Sequence, residues 1–114
     1  MLLRDVVTLL KGSILTGTAL LDKQVETCFA SDMMSKVLAH SQPDTLLCTG
    51  LTNMQVIRTA DMTELSAIVF VGGKRPCEDI VEAAQEDNLP MLATELSLNE
   101  AFDLLCKNGL KECL

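Results

Sequence analysis

A β-branched and aromatic run, Ile68-Val69-Phe70-Val71, stops at Gly72-Gly73, and after Lys74-Arg75-Pro76 an amphipathic pattern begins near Cys77. That is how a buried parallel strand turns over into the helix of a βαβ unit. Two adjacent glycines let backbone approach another segment or a ligand closely. In open α/β sheets this turn lies on the edge where ligands collect.

The same rhythm recurs along the chain. Leu2, Val6, Leu9 and Leu10 stand at helical spacing, and Gly12 can end that helix. Ser13 to Thr16 and Val25 to Ala30 read as strands joined by a short link. A link that short is too brief for a parallel crossover, so antiparallel or irregular pairing at a sheet edge is expected. Ser31-Asp32 can cap a helix running to about His40. Strands at Thr45 to Thr49, Ser66 to Val71 and Met91 to Ala93 alternate with helices from about Asn53 to Met62, from Cys77 to Asp87, and from Ser97 to about Asn108. Strands that read as continuous apolar runs point to a sheet covered on both faces. The expected fold is α/β: a single three-layer α/β/α domain over residues 1–114, with a mainly parallel sheet of about five strands.

The core has to be aliphatic, since only 3% of the 114 residues are aromatic and Trp and Tyr are absent. Few aromatics and a formal net charge of −7 argue against a nucleic-acid interface, which needs cations and stacking platforms. No apolar run approaches a membrane span and no signal peptide is visible, so a soluble cytoplasmic protein is expected. Cys28, Cys48, Cys77, Cys106 and Cys113 are odd in number and lack CxxC spacing, which reads as free thiols with no metal cluster.

Four strand-to-helix loops should gather at the carboxyl edge of the sheet: Ala30-Ser31-Asp32, Thr49-Gly50-Leu51-Thr52-Asn53, Gly72-Gly73-Lys74-Arg75 and Thr94-Glu95-Leu96-Ser97. Helix starts with glycines and nearby cations favour anionic groups. The ligand-binding set expected there is Asp32, Thr49, Gly50, Asn53, Gly72, Gly73, Lys74 and Arg75. No complete dinucleotide or P-loop motif is present. Cys77 follows Lys74 and Arg75 at a helix start, a setting that lowers a thiol pKa. The single His40 suits a helix C-terminus. Met33, Met34, Met54 and Met62 read as core filler or interface. No acid, base and nucleophile set can be assembled, so no catalytic residues and no cofactor are expected.

Taken in order, Ser31-Asp32 before an amphipathic helix, the strand to Thr49-Gly50, Leu65 to Val71 running into Gly72-Gly73, Pro90-Met91-Leu92, and the helix after Ser97 resemble the DRTGG domain family over essentially the whole chain. The resemblance implies a small α/β domain related to the N-terminal domain of HPr kinase/phosphorylase, of the kind found beside CBS domains, inside some phosphotransacetylases, or alone. It implies a regulatory accessory role. Val71 stands where the family name has Thr, and Leu51-Thr52-Asn53 carries no Asp-Arg pair, so the turn geometry is carried over and a charged clamp is not.

The expected function is therefore a non-catalytic regulatory or protein-interaction module, a homodimer, responding to a protein partner or a small anionic ligand by population shift. Two alternatives stand beside it: an adenine-nucleotide or phosphate-ligand sensor using Lys74 and Arg75, and a redox-responsive thiol protein acting through Cys77.

Overall fold

A computed structural model describes residues 1–112. Six strands form one sheet in the order β1-β5-β4-β3-β2-β6: β1 Ser13–Thr16, β2 Thr27–Ala30, β3 Thr45–Thr49, β4 Ala67–Phe70, β5 Met91–Ala93 and β6 Lys111–Glu112. All pairings are parallel except β1 with β5. Among the described residues, five α-helices, α1 Leu3–Leu10, α2 Met34–His40, α3 Met54–Thr63, α4 Glu78–Glu86 and α5 Leu98–Lys107, and a 3-10 turn at Thr18–Leu20 complete the fold.

The alternation of side chains along each strand divides the interior into two cores. Phe29, Leu47, Ile68, Phe70 and Met91 pack with Met34, Val37, Val56, Ile57, Ala60, Ile80 and Ala84 from α2, α3 and α4. Their sequence neighbours Cys28, Leu46, Cys48, Val69, Val71 and Leu92 face the other way, against Leu3, Val6 and Leu10 of α1 and Ala101 and Leu105 of α5. Both faces of β3 and β4 are thus covered, which is why those strands read as unbroken apolar runs. Phe70 is fully buried and is among the largest such side chains. At about 25 cal/mol per Å² of apolar surface, burial on this scale supplies most of the drive for folding.

The α/β/α layering is as expected; three details differ. β1 lies at an antiparallel edge, but its partner is β5, and β2 sits three strands beyond β5 on the far side. Thr16 explains part of that placement. Its buried hydroxyl donates to the Leu89 carbonyl just ahead of β5. The second difference is β6, two exposed residues paired in parallel with Thr27 and Cys28, too short to carry a strand pattern in sequence. The third is the start of α2. Met33 is its N-cap residue, Ser31 accepts from the Met33 amide at 3.0 Å, and Asp32 caps nothing in its own helix. Its carboxylate is used by the next loop, as described below. Cys113 lies outside the described residues.

Strands β2, β3, β4 and β5 advance one place along the sheet at a time, through helices α2, α3 and α4 on one face. The chain then leaves β5 through α5 on the opposite face and returns to β6 beside β2. Neighbouring parallel strands β4 and β5 therefore send their carboxyl ends to opposite layers. That divergence is a topological switch point, the place where doubly wound sheets open a crevice. No described helix is long and apolar enough to cross a membrane.

Candidate functional site

Gly72-Gly73 sits at the switch point. Gly72 has φ +67° and Gly73 has φ +73°. The Lys74 amide returns to the Val71 carbonyl at 3.3 Å, closing a tight turn around two left-handed residues. Only glycine enters that region without a steric cost, which accounts for the pair. The turn is clasped to the loop after β5. The Gly72 amide donates to the Leu96 carbonyl at 2.7 Å and the Gly73 amide to the Thr94 carbonyl at 3.0 Å. A Cβ at Gly73 would run into the Glu95 carboxylate, so that side chain lies directly over the glycine. Glu95 is outside the set expected from sequence. Its loop was identifiable, but its proximity to Gly73 depends on β5 lying beside β4.

The neighbouring loops form a second cluster. Thr49, the last residue of β3, is fully buried. Its hydroxyl donates to Asp32 Oδ1 at 2.9 Å, and the Gly50 amide donates to the same oxygen at 2.6 Å. Thr49 Oγ1 in turn accepts from the Leu51 amide at 3.1 Å. The short Gly50 contact has the length of a strong hydrogen bond to an ionised acceptor. Asp32 thus ties the loop after β2 to the loop after β3. Lys74 Nζ reaches the same place: a Cβ at Gly50 would lie 3.5 Å from Lys74 Nζ and 3.5 Å from Asp32 Oδ1. A methyl at Gly50 would sit in ordinary contact with both the cation and the carboxylate.

The structure brings Asp32, Thr49, Gly50 and Lys74 together in one notch, whereas Gly72 and Gly73 face the loop after β5. It separates the two expected cations. Lys74 leans toward β3, whereas Arg75 Nη2 donates to Ser13 Oγ on β1 at 3.3 Å, at the other end of the sheet. Asn53 is the N-cap of α3 and its side chain accepts from the Gln55 amide at 3.0 Å. Ser97 and Glu100 form a reciprocal capping box at the start of α5, and hydrogen bonds from Ser97 lower the Glu100 pKa.

Cys77 is an exposed free thiol at the N-cap position of α4. Cys48 is buried and its pKa is pushed up to about 12 by desolvation, with a further contribution from Cys106. Burial, followed by the hydrogen bond to Cys106, also raises Cys28. His40 ends α2, its ring 6.3 Å from that of Phe29. Met34 is buried, while Met33 and Met62 are exposed. Among the described residues, no group of three or more His, Cys, Asp or Glu side chains could hold a metal ion.

The model of the DRTGG domain family matches residues 5–105. The chain belongs to the DRTGG domain family. No curated protein matches it. Its fold is similar to that of the CBS and DRTGG domains of the regulatory region of Clostridium perfringens pyrophosphatase, crystallised with the activator diadenosine tetraphosphate. That likeness has a TM-score of 0.71 at 13% identity, and covers 90% of this chain and 45% of the other. The DRTGG domain described here thus spans less than half of that neighbour.

The family glycines are Gly72 and Gly73, and their amides are occupied within the domain. A carboxylate stands beside each glycine turn: Asp32 accepts from the Gly50 amide and Glu95 lies over Gly73.

Proposed function

We propose that this DRTGG domain is a non-catalytic regulatory module that senses a small anionic ligand, with adenine nucleotides the leading class, at the carboxyl rim of its sheet. The observation that carries this reading is the notch at Gly50. There a backbone amide and a threonine hydroxyl donate to one chain carboxylate, and a lysine ammonium stands beside the same glycine. Asp32 acts as an internal stand-in for the ligand. An incoming phosphate displaces it, takes the Gly50 amide and Thr49 hydroxyl, and pairs with Lys74. Release of Asp32 unties the loop after β2 from the loop after β3, so binding shifts the population of rim conformations. The nucleotide class is supported by the neighbouring regulatory region, which carries diadenosine tetraphosphate as its activator. A homodimer belongs to this reading, with Met33 and Leu38 at α2 and Met62 on α3 as exposed apolar contacts.

Thermal-shift titration with ATP, ADP, diadenosine tetraphosphate and inorganic phosphate tests the sensor. A ligand at a hundredfold excess over its Kd stabilises the native state by about 2.7 kcal/mol. The expected result is a saturable rise in Tm that Lys74→Ala abolishes and Asp32→Asn strengthens. An unchanged Tm with every nucleotide refutes the ligand class, and a rise untouched by Lys74→Ala moves the site elsewhere. Sedimentation at monomer mass across a wide concentration range would remove the dimer.

A further inference from the structure

We propose that Cys28 and Cys106 form a reversible oxidation site, a dithiol that hydrogen peroxide converts to an intramolecular disulfide joining β2 to α5. The proposal stands apart from the rim notch and uses neither of its carboxylates.

Cys28 lies in β2, fully buried in the core beneath α1 and α5. Cys106 lies in the last turn of α5 and is half-buried at the margin of the same core. They are 78 positions apart in sequence, yet their sulfurs are 3.6 Å apart. A disulfide bond is about 2.05 Å long, so closure asks the sulfurs to approach by roughly 1.5 Å. Other thiols are placed less well. Cys48 is sealed in the core on the adjacent strand β3, and Cys77 stands on the surface at the start of α4.

The different exposures of the pair assign the roles. Cys106 reaches the surface and meets the peroxide first. Its thiolate sulfur attacks one peroxide oxygen, the O–O bond breaks, and the leaving oxygen departs as water after taking a proton. Cys106 is left as a sulfenic acid. The Cys28 sulfur then attacks the Cys106 sulfur, forming the S–S bond. The S–O bond breaks, and the Cys28 proton leaves with the hydroxyl as a second water. Two thiols have lost two electrons and the peroxide has gained them. A resolving thiol already in contact intercepts the sulfenic acid before it oxidises further. Burial of Cys28 makes its thiolate scarce, so this second step accelerates with rising pH. The bond would fasten α5, whose preceding loop holds Gly72 and Gly73, to β2, the strand next to the β6 edge of the sheet.

Treatment of the wild-type chain with hydrogen peroxide, followed by non-reducing peptide mapping of all five cysteines, tests the site. The expected product has lost two hydrogens, carries a Cys28–Cys106 linked peptide, and reverts with dithiothreitol. The native chain should give at least ~10-fold more of that link than the urea-unfolded chain, because only the fold holds the sulfurs together. In Cys28→Ala, with its fold checked by circular dichroism, Cys106 sulfenic acid should accumulate and be trapped by dimedone. A Cys48–Cys106 link, or oxidation confined to Cys77 and Cys113 while Cys28 and Cys106 stay reduced, overturns the assignment. So does equal linkage in urea.

Discussion

Replacing each glycine of the switch-point turn with alanine separates two effects that coincide there. Gly72 and Gly73 have nearly the same backbone, φ +67° and +73°. Left-handed geometry costs an L-residue about 1–2 kcal/mol. Alanine also restricts the unfolded chain, which returns about 0.4–1 kcal/mol. The net backbone loss is therefore about 1 kcal/mol at either position. The surroundings differ. A methyl at Gly72 meets nothing within 4 Å, whereas one at Gly73 meets the Glu95 carboxylate. Glu95 is exposed and can swing aside, which adds about 0.5–1 kcal/mol for an off-rotamer side chain. Gly73→Ala should accordingly be less stable than Gly72→Ala by that margin. Urea denaturation with an unchanged m value reads both losses. In a Glu95→Ala background the two alanine variants should become equal, and the cycle isolates the carboxylate contact. Equal losses in the wild-type background, or either variant as stable as the parent, would refute the account of this turn.

Asp32→Ala removes the acceptor shared by the Thr49 hydroxyl and the Gly50 amide, and should cost about 1–2 kcal/mol, the low end for charged hydrogen bonds because Asp32 is exposed; chemical denaturation measures it. The raised Cys48 pKa has a definite sign. Between pH 9 and about 12 the unfolded thiol has lost its proton and the folded one keeps it, so stability falls as pH rises through that window. Alkaline unfolding should move to higher pH in Cys48→Ala, and native Cys48 should resist thiol reagents at pH 8. Glu100 has the opposite sign: its lowered pKa gives stability above the ordinary glutamate range that is lost as pH falls. Ser97→Ala keeps the backbone amide that lowers the Glu100 pKa most and should weaken that acid limb only in part, while losing the cap itself should cost about 1 kcal/mol by thermal unfolding.

Strands β3 and β4 were legible because they are buried on both faces, leaving no polar residue inside Leu46-Leu47-Cys48 or Ala67-Ile68-Val69-Phe70. The helices were legible from their periodicity, and the capping residues Asn53 and Ser97 from side chains that bond their own first turns. Local rules failed where the partner is distant in sequence. Asp32 has the chemistry of a cap, but its acceptor capacity is consumed 18 positions away. β1 follows α1 and precedes β2, yet it pairs with Met91–Ala93. Lys74 and Arg75 are adjacent and alike in charge, and only the order of strands on either side of β4 shows that they part company. The same strand order brings Glu95 over Gly73.

The hydrogen bonds from Gly72 and Gly73 join the connection leading to α4 with the connection leading to α5, and those helices belong to opposite layers. Any parting of the β4 and β5 loops has to break this latch, and breaking it unlinks the exits toward the two outer shells of the sandwich. Amide exchange at residues 72 and 73 would then report events on both sides of the molecule from a single pair of signals.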